Sequence, residues 1–96
     1  GIVMGLGFAL TESFPIENGY PKVRFGTIGL MRAPSVPKIE VKLVQAPGER
    51  LQYAFGAKGV GELCLIPTSP ACSHAYYRFD GVFRNSLPLK NTYYRK

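Results

Sequence analysis

Three glycines within six residues, Gly56, Gly59 and Gly61, followed at once by the carboxylate Glu62, most narrow what this chain can become. Glycine has no Cβ and tolerates positive φ, so such a run suits a loop whose backbone passes close to another object rather than a helix or strand interior. Leu63, Leu65 and Ile66 flank the carboxylate with apolar groups. Partial burial among such groups disfavours a carboxylate's charged form, and that environment suits a general base. The same residues also read as a glycine-rich turn ahead of a helix, with an ordinary surface glutamate.

The rest of the chain is short of long elements. Eleven glycines and eight prolines make up about a fifth of its 96 residues, and they divide it finely. Residues 2–14 carry Val3, Leu6, Leu10 and Phe14 on one helical stripe. Gly5 and Gly7 leave a shallow face there on which another backbone can pack. Leu10 stands where a third glycine would complete a dinucleotide fingerprint, so the helix is structural. Pro15 stops it, and Asn18-Gly19 predicts a hairpin over 13–25, because both residues accept positive φ. Residues 26–37 read as irregular, with Arg32 a structural or solvated loop arginine. Lys38 to Val44 alternates polar and apolar residues, with Ile39, Val41 and Leu43 on one face, and predicts a half-buried strand.

After the glycine loop, Ser69 and Pro70 are placed as N-cap and first helical residue of a helix running to Phe79 or Asp80, with Gly81 as its stop. Val82-Phe83-Arg84 reads as a short strand. Leu87-Pro88-Leu89 is expected to pack the end of the chain, and Asn91 to cap a helical turn. The fold class is α+β: an N-terminal helix, a hairpin and strand, the glycine-rich loop and a second helix.

The formal net charge of +6 raises nucleic acid as a partner, but the basic residues are spread almost evenly. Only Asn91 to Lys96 mixes basic and aromatic side chains closely, which leaves a small basic module for single strands as the alternative reading. Cys64 and Cys72 have no C-x-x-C partner and no histidine at zinc spacing, so they read as reduced thiols of a cytoplasmic protein. His74, alone within its helix, reads as a packing or surface residue rather than a metal ligand. No apolar run is long enough for a membrane span.

Gly56-Ala57-Lys58-Gly59-Val60-Gly61-Glu62 resembles the glycine-rich loop of the molybdopterin-binding subunit in the xanthine dehydrogenase and aldehyde oxidoreductase family. Met4 to Glu12 is similar to that family's Gly-Leu-Gly-x-Ala-Leu-x-Glu helix. Pro67 to Ala71 resembles the start of its following helix, and Leu87-Pro88-Leu89 a motif near its end. The order of motifs is kept over nearly the whole chain.

The resemblance implies that residues 1–96 are the C-terminal segment of a molybdenum-cofactor-binding domain, a fragment inactive alone, with a stand-alone small chain that completes such a subunit by association as the alternative. It implies Glu62 as the catalytic base, and Gly59, Val60 and Gly61 as backbone beside the molybdopterin, with no metal ligand in this segment. The implied reaction is oxidative hydroxylation of a purine, another N-heterocycle or an aldehyde. The implied partners are the rest of the subunit, iron–sulfur and FAD subunits or domains, and a small-molecule substrate. Two departures stand out: Leu63-Cys64 replaces the family's prolines after the glutamate, and Met4 stands where glutamine is usual.

Overall fold

The computed structural model describes residues 1–44 and 57–93. Its elements are a helix α1 over Ile2–Leu10, two-residue strands β1 (Ile16–Glu17) and β2 (Tyr20–Pro21), and a helix α2 over Thr68–Asp80. Single 3₁₀ turns lie at Phe25–Thr27 and Ala33–Ser35. The α+β class expected from the sequence is observed, as a helix pair with a small antiparallel hairpin.

The hairpin follows from its turn. Asn18 (φ 52°) and Gly19 (φ 80°) both take left-handed backbone, the type I′ pattern that matches strand twist. Ile16 pairs with Pro21 and Glu17 with Tyr20.

Helix α1 ends at Leu10, four residues before the expected stop at Phe14. A continuing helix would send the Ser13 N–H to the Ala9 carbonyl. That carbonyl instead accepts the N–H of Leu89 at 2.7 Å, while Ser13 donates to Ile28 O at 2.8 Å. Two tertiary partners therefore end the helix before Pro15 can, and Phe14 is left exposed beside the ring of Phe25.

Helix α2 ends as expected. Gly81 is left-handed (φ 71°) and its N–H reaches Tyr77 O at 2.8 Å. Its start differs. Pro67 occupies the cap position, without a side-chain cap, and Ser69 lies inside the first turn. A run of turns over residues 61–67 already curls helically, with Leu65 and Ile66 donating to Glu62 O at 3.0 and 3.2 Å, so the helix nucleates ahead of Ser69.

Three sequence expectations are corrected. Residues 38–44 form no strand: Val41 and Leu43 are exposed, and among the described residues no strand lies beside them to complete a ladder. Val82-Phe83-Arg84 is irregular, its backbone drawn into contacts with one guanidinium. Asn91 takes a left-handed conformation (φ 53°) and begins no helix among the described residues, while 94–96 lie outside them.

Leu87-Pro88-Leu89 does pack the end of the described chain. Among the described residues, Ala9, Leu10 and Leu89 are the buried apolar side chains, with Leu6, Cys72 and Tyr76 packed against them. The Cα radius of gyration is 17.3 Å. A globular chain of this length would have one of about 12–13 Å. Large apolar groups such as Leu43, Phe25 and Phe83 stand 94%, 79% and 78% exposed.

Candidate functional site

Glu62 opens the turn that leads into α2, and what fixes it there is backbone. Its carbonyl accepts from Leu65 and Ile66, Thr68 N–H donates to Leu65 O at 3.3 Å, and Thr68 Oγ1 donates to Cys64 O at 2.6 Å. The turn thus continues into the helix without a break. The expectation of a partly buried carboxylate is corrected: Glu62 is exposed. Leu63 and Ile66 are themselves 67% and 69% exposed, so two of the three apolar neighbours give the carboxylate little cover, and only Leu65 is half-buried.

Of the expected site residues, Gly59, Val60, Gly61 and Glu62 lie contiguous on the described stretch and all are exposed, whereas Gly56 falls outside the described residues. A Cβ placed on Gly59 or Gly61 would meet nothing within 4 Å. Their bare backbone faces open space, and a second body can approach it. Among the described residues, no group of three or more His, Cys, Asp and Glu side chains could hold a metal ion. What this stretch offers a second body is open backbone at Gly59 and Gly61 and one exposed carboxylate, groups that fit contact with a large cofactor.

Helix α1 meets this turn through its glycines. A Cβ on Gly5 would stand 2.5 Å from Thr68 Cβ and 3.1 Å from Leu65 O, and one on Gly1 would stand 2.9 Å from Cys64 Cβ. The close approach expected at Gly5 is therefore made, and it is made onto the turn that bears Glu62. Ser69 Oγ donates to Gly5 O at 3.1 Å across the same contact. Sequence reading missed this link because a capping role already accounted for Ser69.

Beside the turn, Ile2, Leu6, Leu63, Cys64, Pro67, Ala71 and Cys72 line an open apolar groove of about 600 Å³. Both cysteines are free, Cys64 exposed and Cys72 half-buried; burial holds the Cys72 thiol above its ordinary value.

At the other end of α2, Arg84 is committed to structure. It forms a two-pronged pair with Asp80 (2.6 and 3.2 Å), donates to the carbonyls of Val82, Lys90 and Asn91, and lies 5.4 Å from the Tyr76 ring centre. That guanidinium, with help from the Val82 N–H, holds the Asp80 carboxyl below the usual aspartate range. Arg32 is structural too, its guanidinium donating to Gly26 O at 3.2 Å. His74 is exposed on α2. Of the basic and aromatic tail, Tyr93 packs edge-on against Phe79 at 5.4 Å, and residues 94–96 lie outside the described residues.

No protein-family model matches the chain, and no solved structure matches it. It is similar to the isoquinoline 1-oxidoreductase subunit beta of Brevundimonas diminuta, 32% identical over 91 residues, covering 94% of this chain and 11% of that protein. It is also similar to the xanthine dehydrogenase molybdenum-binding subunit of Escherichia coli O157:H7, 33% identical over 92 residues, covering 93% of this chain and 12% of that protein. The chain thus spans about a ninth of the length of these relatives, which are oxidoreductase subunits. No helix among the described residues is long and apolar enough to cross a membrane.

Proposed function

We propose that this chain is the C-terminal part of the molybdopterin-binding subunit of a molybdenum hydroxylase, and that Glu62 is the base of its active site. The observation that carries the reading is similarity over more than nine-tenths of the chain to two oxidoreductase subunits, one of them named as molybdenum-binding. Two features of the fold support it. Among the described residues the buried core is small and many large apolar side chains stand exposed, as expected of a segment completed by a larger body. The backbone at Gly59 and Gly61 has open space beside it, which close approach of a cofactor would require.

A molybdenum cofactor bound there would supply the two-electron oxidation of the substrate carbon. This chain's part is to lay the peptide of Gly59, Val60 and Gly61 along the cofactor and to present Glu62 as proton acceptor. The remainder of the subunit would cover Leu63 and Ile66, exclude water from the carboxylate and turn it into the partly buried base that this chain alone does not make. The names of both relatives point to N-heterocyclic substrates, so a heterocycle such as a purine comes first, with an aldehyde second. Iron–sulfur and FAD partners would carry the electrons away in the cytoplasm.

General-base assistance is worth about 10²–10⁴ in rate. In the complete enzyme, Glu62→Gln is expected to lower kcat by that factor with molybdenum content unchanged. Near-normal turnover in a fully metallated Glu62→Gln enzyme refutes the assignment.

A further inference from the structure

We infer that α1 is the positioning element for Glu62, acting through Gly5 and Ser69; the catalytic consequence rests on the reading of Glu62 as base. The carboxylate sits on an exposed turn, with Glu62, Leu63 and Ile66 all largely open to solvent. Something else must set its direction.

Beyond its continuation into α2, this turn meets the fold along one turn of α1. Gly1 lies against Cys64, Gly5 against Leu65 and Thr68, and the Gly5 carbonyl takes the hydroxyl of Ser69 at 3.1 Å. Gly1 and Gly5 are about 6 Å apart along the helix axis at 1.5 Å per residue. Together they hold residues 64–69, one turn and a half, at two points and a hydrogen bond. Within the turn, Thr68 Oγ1 on Cys64 O and the Leu65 and Ile66 amides on Glu62 O pass that restraint back to Glu62. Ser69 spans 64 residues of sequence for this bond instead of capping its own helix.

A methyl group at Gly5 meets Thr68 Cβ and the Leu65 carbonyl, neither of which can rotate away. Ordinary carbon contacts lie near 3.5–4.0 Å, so the two segments must part by about 1 Å. A misplacement of that size costs about 10²-fold in rate when it falls on a reacting group. Loss of the Ser69 hydroxyl leaves packing intact and removes one neutral hydrogen bond, worth about fivefold in occupancy of the bonded geometry.

The experiment uses the complete enzyme carrying this segment, with four variants: Ser69→Ala, Ser69→Thr, Gly5→Ala and Glu62→Gln. Steady-state kinetics and amide hydrogen exchange of peptides covering residues 57–67 are read together at equal molybdenum content. Ser69→Ala is expected to lower kcat about fivefold with KM unchanged, and to speed exchange at the Leu65 and Ile66 amides by a similar factor. Ser69→Thr, which keeps the hydroxyl, restores both. Gly5→Ala lowers kcat about 10²-fold.

Unchanged exchange at residues 62–66 in Ser69→Ala overturns the inference, and so does faster exchange there with kcat intact while Glu62→Gln is inactive. If Glu62→Gln keeps its turnover, the base role falls by itself, and the exchange data still decide whether α1 holds the turn.

Discussion

Leu89 offers the sharpest quantitative test of how the described fold is held. Its side chain is fully buried against Ala9, Leu10, Leu6, Cys72 and Tyr76, and its N–H closes the end of α1 on Ala9 O at 2.7 Å. Leu89→Ala keeps that backbone bond and deletes the rest of the side chain. Leucine-to-alanine changes in well-packed cores cost about 2–5 kcal/mol, the higher values arising where the surroundings cannot collapse. Here the buried cluster is thin and one face of it is made by half-buried Cys72 and Tyr76, which can close in, so the lower end applies: about 2–3 kcal/mol. Each 1.4 kcal/mol is a factor of ten, so native-state hydrogen exchange at the Leu89 amide and along α1 should quicken by about 30- to 150-fold. The exposed neighbour Leu87, 54% accessible, gives the control; its alanine variant should stay within about 0.5 kcal/mol. A Leu89→Ala protein whose α1 amides exchange no more than fivefold faster would show that α1 is not held by this residue.

Two further expectations concern titratable groups. Asp80 is held below its ordinary value first by the Arg84 guanidinium and then by the Val82 N–H. A depressed carboxyl stabilises the fold fully above the unfolded aspartate value near 4, and this contribution drains away as pH falls below it. Acid unfolding followed from pH 6 to pH 2 should therefore lose part of its slope below about pH 4 in Asp80→Asn; an unaltered acid limb would refute the pairing. The two thiols should separate by accessibility: at pH 7.5 an alkylating reagent labels exposed Cys64 well before Cys72, whose thiol is half-buried and pushed up by burial. Peptide mass spectrometry showing equal labelling rates would contradict that placement.

What the sequence made legible was chemistry that acts locally. Asn18-Gly19 specified its turn and Gly81 specified the end of α2, because each answers a backbone conformation that few other residues accept. What it hid was decided between distant segments. The alternation of Ile39, Val41 and Leu43 is real, but a strand needs a neighbour to accept its hydrogen bonds, and the described chain provides none there. Pro15 looked like the end of α1, yet Leu89 had already taken the carbonyl that the next turn required. Ser69 looked like a cap and serves instead as a link to Gly5. Arg84 was one basic residue among many, and nothing local announced that three carbonyls, a carboxylate and an aromatic ring converge on it.

The same division explains why the candidate base is exposed. A general base needs a dry, apolar surround to be matched to its task, and that surround is a tertiary property. Leu63 and Ile66 are the kind of side chains that would form it, and here they face outward with Glu62. The chain fixes the peptide on which the carboxylate rides, through α1, and leaves open the environment that would make it reactive. On the proposed reading, position and reactivity would divide between two bodies: the small α1–α2 pair sets where the carboxylate stands, and whatever covers the exposed Leu63 and Ile66 beside it would set its proton affinity.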